Sequence, residues 1–265
     1  LSIQFGMIGG GVMGEALLSR LLARGIYTAE QVLVSEPQAP RRDYLAQHYQ
    51  IQVVADNQDV VNQSATLLLA IKPQVFDAVV AGLGSKNPQQ IILSILAGVP
   101  LHRLEAAFPG QPVVRSMPNT PATVGAGITA IAAGQHTRPE QMHLAQQIFA
   151  AVGEVVEVPE SMLDAVTGLS GSGPGYVAVM IEALIDGGVA AGLPRAIATQ
   201  LAVQTVRGTA ELLFQQGMHP AQLKDQVTSP GGTTIAGIAQ LEQSGFRSAL
   251  IEAVQAAYRR SQALG

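Results

Sequence analysis

A chain of 265 residues with 48% apolar residues can bury a core, as one large domain or two modest ones. Charged residues make up only 13%, about half the ordinary share of a soluble domain, and mean hydropathy is +0.27, so an obligate oligomer is expected to cover what polar side chains cannot. A net charge of −4 without a basic run argues against nucleic acid or an anionic membrane and leaves a small molecule as the ligand, while the absence of cysteine excludes disulfides, thiolate metal sites and a cysteine nucleophile.

The short apolar run Ile3 to Ile8 predicts a strand. It feeds the turn Gly9-Gly10-Gly11-Val12-Met13-Gly14, which opens a helix through Ala16, Leu17, Leu21 and Leu22. A strand, a glycine turn and a helix in that order are the context a dinucleotide-binding turn requires. Gly9 suits the tight turn, Gly11 lets a pyrophosphate approach the backbone, and Gly14 lets helix and strand pack closely.

Glu36 ends the second strand, Val32 to Val34, where an acidic side chain accepts hydrogen bonds from an adenosine ribose; that points to NAD. Arg41 and Arg42 lie just beyond, either to hold a 2′-phosphate or as solvated surface charges. Asp56 and Asn57 follow a third strand, Ile51 to Val54, as adenosine contacts or as helix caps. Lys72-Pro73 closes a fourth strand, Leu67 to Ile71, on the carboxyl edge where open α/β sheets bind ligands.

Ile91 to Ile95 and Val113 to Met117 continue the alternation of strands and helices that implies a parallel sheet. Ile128 to Ala132 and Val155 to Val158 flank a helix from about Pro139 to Phe149 and extend the sheet less regularly. The expected architecture is a doubly wound, mainly parallel α/β domain over residues 1–160 and an all-α domain over residues 161–265. Ser161 to Asp164 reads as a capping box at the start of the second.

Beyond it, Pro174 opens a first long helix, and Gly192-Leu193-Pro194 separates it from a second over Ala196 to Phe214. The apolar segment Tyr176 to Leu193 carries Glu182 and Asp186, so it predicts a buried helix, not a membrane span. Ser229-Pro230-Gly231-Gly232-Thr233-Thr234 then opens a late helix whose free N–H groups suit a small carboxylate. None of the five histidines has an i, i+4 partner for a helical metal site. No signal-peptide pattern is visible, and a cytoplasmic location is expected.

With these residues in place, the chain resembles the pyrroline-5-carboxylate reductase family from end to end. The likeness is carried by the glycine turn, Ala70 to Gln74, Ser94 to Gly98, Arg115 to Pro121, Asp164 to Pro174 and Val227 to Thr234, in family order. It implies a Rossmann domain followed by a helical dimerisation domain, a homodimer that can build a larger ring, and reduction of 1-pyrroline-5-carboxylate to L-proline by NAD(P)H. It further implies cofactor contacts at Ile8, Gly9, Gly10, Gly11, Val12, Met13, Asn57, Ala70, Ile71, Lys72, Pro73 and Ala97. The substrate carboxylate and ring nitrogen fall to Ser229, Gly231, Gly232, Thr233 and Thr234.

Val12 departs from a polar residue common in the family, and Gly175 from a common alanine. Glu36 stands where others have Ser, Asn or Arg for the 2′-phosphate, so the cofactor is NADP or NAD with the preference open. The late turn contains no His, Lys or Asp to act as general acid. The substrate is therefore expected as its protonated iminium, with the Thr234 hydroxyl orienting the nitrogen. Two rival readings are a β-hydroxyacid dehydrogenase and a non-catalytic dinucleotide-binding module. The first needs a lysine on the first long helix, and Pro174 to Leu193 contains none.

Overall fold

The computed structural model describes residues 3–84 and 87–263. Among the described residues there are eight strands: β1 (Ile3–Ile8), β2 (Val32–Ser35), β3 (Gln52–Val54), β4 (Ser64–Leu69), β5 (Ile91–Ser94), β6 (Val113–Met117), β7 (Gly127–Ala133) and β8 (Gly153–Glu157). They form one sheet in the order β3-β2-β1-β4-β5-β6-β7-β8. Every pair from β3 to β6 is parallel, β7 runs antiparallel to β6, and β8 is parallel to β7. The first six strands therefore have the order of a dinucleotide-binding fold, with the switch in direction of winding between β1 and β4.

The period of two along these strands sorts their side chains onto two faces. Phe5, Met7, Val34, Leu68, Leu93 and Val114 enter one core cluster, whereas Ile8, Leu33, Leu67, Leu69, Ile92 and Val113 enter the other. Both faces are covered by the helices α1 (Val12–Ala23), α2 (Ala39–Tyr49), α3 (Asn57–Gln63), α4 (Phe76–Ala81), α5 (Leu101–Ala107) and α6 (Pro139–Ala150). Burial on both sides explains why the strands read as near-continuous apolar runs. β4 ends at Leu69, two residues short of the expected Ile71, and the chain turns out through Ala70 and Ile71 towards Pro73.

The capping box expected at Ser161 to Asp164 does not form. Residues Glu160–Met162 make a 3-10 turn and α7 (Leu163–Val166) follows, neither with a side-chain cap. Asp164 instead accepts the Ser261 hydroxyl at 2.7 Å. A π-turn, Thr167–Gly171, completes this segment. Leu163 and Val166 pack into the second core cluster. The compact units accordingly divide at Leu1–Ser172 with Ala256–Gly265 against Gly173–Gln255, twelve residues after the sequence boundary at 160.

The second unit is helical: α8 (Gly173–Ala190), α9 (Arg195–Gln216), α10 (Pro220–Gln226), α11 (Thr233–Gln243) and the greater part of α12 (Phe246–Gln262). α8 packs on α9, where a Cβ on Gly188 would lie 3.1 Å from that of Ala198. The expectation of a buried helix over Tyr176 to Leu193 fails for the single chain, because α8 has no buried residue. Packing on α9 leaves its residues half-buried or exposed, which leaves apolar surface for another chain to cover.

Candidate active site

The glycine turn sits at the carboxyl end of β1. Gly9 donates its N–H to Ser35 O at 2.9 Å, and the N–H of Ala70 donates to Ile8 O at 2.9 Å, so the turn leaves the sheet between β2 and β4. Gly9 has φ +100°, and a Cβ there would strike Ala70 O at 2.6 Å. A Cβ on Gly14 would meet Gly9 O at 2.7 Å. Both positions thus require glycine for reasons internal to the fold.

Gly11 is different. It is exposed, and a Cβ there would find no atom within 4 Å. Gly11 is also the N-cap of α1, with no side-chain cap bond. The first N–H groups of a helix lack intrahelical acceptors, and the macrodipole adds positive potential there. Space in front of Gly11 and unclaimed N–H groups behind it fit the pyrophosphate of a dinucleotide. Val12 is 76% exposed beside this opening and Met13 is half-buried against the core.

Behind the turn the geometry is charged. The Gly10 N–H donates to Glu36 Oε2 at 3.1 Å, and Gln38 N–H donates to Glu36 Oε1 at 3.0 Å. Glu36 is 8% exposed. Arg41 Nε donates to Gly10 O at 2.7 Å while its Nη2 pairs with Glu15 in the first turn of α1. Tyr44 and Tyr49 donate their hydroxyls to Glu15 Oε1 at 3.0 and 2.8 Å. Burial pushes the Glu15 carboxyl up, but the bonds from Arg41, Tyr49 and Tyr44 together outweigh it and hold the group below the usual carboxylate value. Burial and the bond to Glu15 push Tyr49 up to about 12. Arg42 Nη1 donates to Glu36 O and Pro37 O at 3.0 and 2.8 Å, so both arginines are tied to this loop and neither is a free surface charge.

The remaining predicted cofactor residues lie on the same carboxyl edge. Asp56 caps α3 by accepting from Gln58 N–H at 2.9 Å, and Asn57 Oδ1 accepts from the Ser35 hydroxyl at 2.7 Å, beside Glu36. Lys72 is exposed and extended ahead of the 3-10 turn Pro73–Val75, as the residue before a proline must be. Ala97 is exposed in the loop after β5. Sequence reasoning assigned no role to Asn119. Its Nδ2 donates to Ser170 O at 3.1 Å and its Oδ1 accepts from Ile128 N–H at 2.9 Å, which ties the loop after β6 to the π-turn. The tyrosines of α2 were also missed, because only the packing of α2 beside α1 brings them to Glu15.

In the second unit, Gly232 N–H donates to Ser229 O at 3.0 Å, with Pro230 next and Gly231 at φ +67°, the pattern of a type II turn. A Cβ on Gly232 would strike the Ser229 hydroxyl, so a side chain there would push Ser229 aside. Gly232 caps α11 without a side-chain bond, and Thr233 and Thr234 are its first helical residues. Neither threonine is therefore the cap. Both are exposed, as are Ser229 and Gly231, and the N–H groups of this first turn are available to an anion.

Known proteins place these features in one context. Residues 160–264 match the family model for pyrroline-5-carboxylate reductase dimerisation, and residues 4–98 match that for NADP oxidoreductase, coenzyme F420-dependent. A pyrroline-5-carboxylate reductase of Synechocystis sp. is 62% identical over 265 residues, covering 100% of this chain and 99% of that protein. The solved reductase from Coxiella burnetii superposes with a TM-score of 0.92 at 31% identity, over 100% of this chain and 99% of that one. The Plasmodium falciparum pyrroline carboxylate reductase with NADP bound gives 0.89 at 30% identity, over 99% and 98%. Identity over the whole length and a shared fold over the whole chain make this protein a member of the pyrroline-5-carboxylate reductase family.

Proposed function

We infer that this protein reduces 1-pyrroline-5-carboxylate to L-proline with NAD(P)H, the last step of proline biosynthesis. The observation that carries the reading is the full-length identity of 62% to a curated reductase, on a chain whose two glycine turns each open a helix without a side-chain cap. Ile8 to Met13, with Asn57, Ala70 to Pro73 and Ala97, receive the cofactor, and Glu36 supports them from the end of β2. The reduced nicotinamide supplies the hydride that the ring carbon of the substrate accepts.

Ser229 and Gly231 to Thr234 receive the substrate. The Gly232 N–H already closes the turn on Ser229 O, so the first helical N–H groups, at Thr233 and Thr234, bind its carboxylate, each charge-assisted bond contributing roughly 1.5–3 kcal/mol. Two such bonds approach the roughly 4 kcal/mol of a millimolar ligand. The Thr234 hydroxyl orients the ring nitrogen. No acid or base lies between Ser229 and Thr234, so the substrate binds already protonated and the turn moves no proton.

The helical region, residues 161–265, pairs two chains into a homodimer in the cytoplasm, and dimers associate further into a ring. The family match to a dimerisation region and the exposed apolar helices support this assembly. The β-hydroxyacid dehydrogenase reading is disfavoured by the lysine-free α8.

Nicotinamide absorbance followed with 1-pyrroline-5-carboxylate, using NADPH and NADH in parallel, tests the activity directly. Oxidation of the cofactor with stoichiometric L-proline is expected. Thr234→Ala should lower kcat about ten-fold or more while cofactor affinity is kept. An inert mixture with both cofactors would remove the assignment.

A further inference from the structure

The glycine turn has a front and a back. At the front a Cβ on Gly11 would meet nothing, whereas a Cβ on Gly10 would meet Leu45 Cδ1 at 2.5 Å and Glu36 Oε2 at 3.4 Å. Gly10 therefore faces scaffolding. Both polar atoms of its backbone are held by charged side chains: the N–H by Glu36 at 3.1 Å and the C=O by Arg41 Nε at 2.7 Å. Charge-assisted bonds of this kind are about twice as strong as neutral ones. Glu36 is itself fixed, with its N–H on Val54 O at 3.0 Å and its second carboxylate oxygen on Gln38 N–H at 3.0 Å. Arg41 also neutralises Glu15, an anionic group in the first turn of the very helix that would receive a pyrophosphate.

We propose that Glu36 and Arg41 form a two-sided clamp on the Gly10 peptide that holds the phosphate turn in its binding shape for NADH and NADPH alike. Glu36 is then a positioning residue and not the reader of the adenosine ribose. The inference rests on the cofactor-site reading above. A ribose reader needs carboxylate oxygens directed at the ligand, but this side chain is buried and its two oxygens are turned to the Gly10 and Gln38 N–H groups. The two roles predict opposite changes in cofactor selectivity. Loss of a clamp weakens both cofactors by one factor. Loss of a ribose reader weakens NADH and, by removing an anion from the 2′-phosphate, strengthens NADPH.

The test measures dissociation constants of NADH, NADPH and ADP-ribose for the full chain by calorimetry, with Glu36→Ala, Glu36→Gln and Arg41→Met as variants. For Glu36→Ala all three constants are expected to rise together by about ten-fold, with the NADPH to NADH ratio within two-fold of the parent. Glu36→Gln keeps one acceptor oxygen and should recover part of the loss, and Arg41→Met should move all three ligands in the same direction. In steady state the loss should fall on the cofactor KM more than on kcat. The clamp is overturned by a fall in NADH affinity with NADPH held or improved, or by unchanged binding in folded Glu36→Gln and Arg41→Met. Failure of the parent chain to bind any of the three ligands would instead sink the cofactor-site reading.

Discussion

The two units of this chain solve the problem of burial in opposite ways. In the sheet unit, Phe5, Leu17, Leu68, Ile92 and Phe149 are fully buried by their own chain. In the helical unit α8 buries no residue and α9 only Ala198 and Ala202, while Val179 and Phe214 are 67% and 69% exposed. The first unit builds both of its core clusters from its own residues. The second presents the apolar area that the low charge content foretells, in the region that matches a dimerisation model.

This contrast can be broken at its strongest point by Phe149→Ala on α6. Emptying a packed aromatic site should cost about 3–5 kcal/mol, read as a lower urea midpoint with unchanged m. A cost under about 1 kcal/mol would mean the sheet unit also leans on outside support. The matching change in the other unit, Val179→Asp on α8, should leave the single chain's fold intact because the side chain has little to lose there. It should lower the mass seen by light scattering, since a charge buried at an interface is expensive. An unchanged oligomer at nanomolar concentration would show that this face of α8 is not the covered one.

A smaller effect sharpens the picture within the sheet unit. Glu15 titrates below the usual carboxylate value, so its contribution is present above that value and lost as pH falls through the lowered one. Tyr49 is raised from 10.0 to about 12, so its contribution is full below pH 10 and disappears as pH rises to about 12. Both groups are partly solvated, so each limb should be worth less than about 1 kcal/mol. Glu15→Gln should flatten the acid limb of thermal stability, and Tyr49→Phe the alkaline one. Limbs identical to those of the parent would show that the network adds nothing to folding.

The two glycine turns and the helices behind them were legible because their signals are local. Gly9, Gly11 and Gly14 follow a strand and open a helix, and Pro230-Gly231 with a helix behind it marks the second turn, so a short window of chain suffices for each. The behaviour of Glu36 was not legible. Its place at the end of β2 suggested the ribose, but which way the carboxylate turns depends on Gly10 and Gln38 reaching it in space. Ser161 to Asp164 misled for a similar reason: the motif was present, and the Ser261 hydroxyl, brought from the far end of the chain, took the aspartate.

Sequence by itself determined the alternation of strands and helices, the two glycine turns at helix starts and the shortage of charge, because backbone periodicity and glycine's missing Cβ act over a few neighbouring residues. Tertiary structure alone decided that β7 runs against β6, that Arg41 and Glu36 grip opposite sides of one peptide, and that no residue of α8 is fully buried by its own chain. Those outcomes depend on which distant groups meet, and the energies that settle them exist only once the chain has closed on itself.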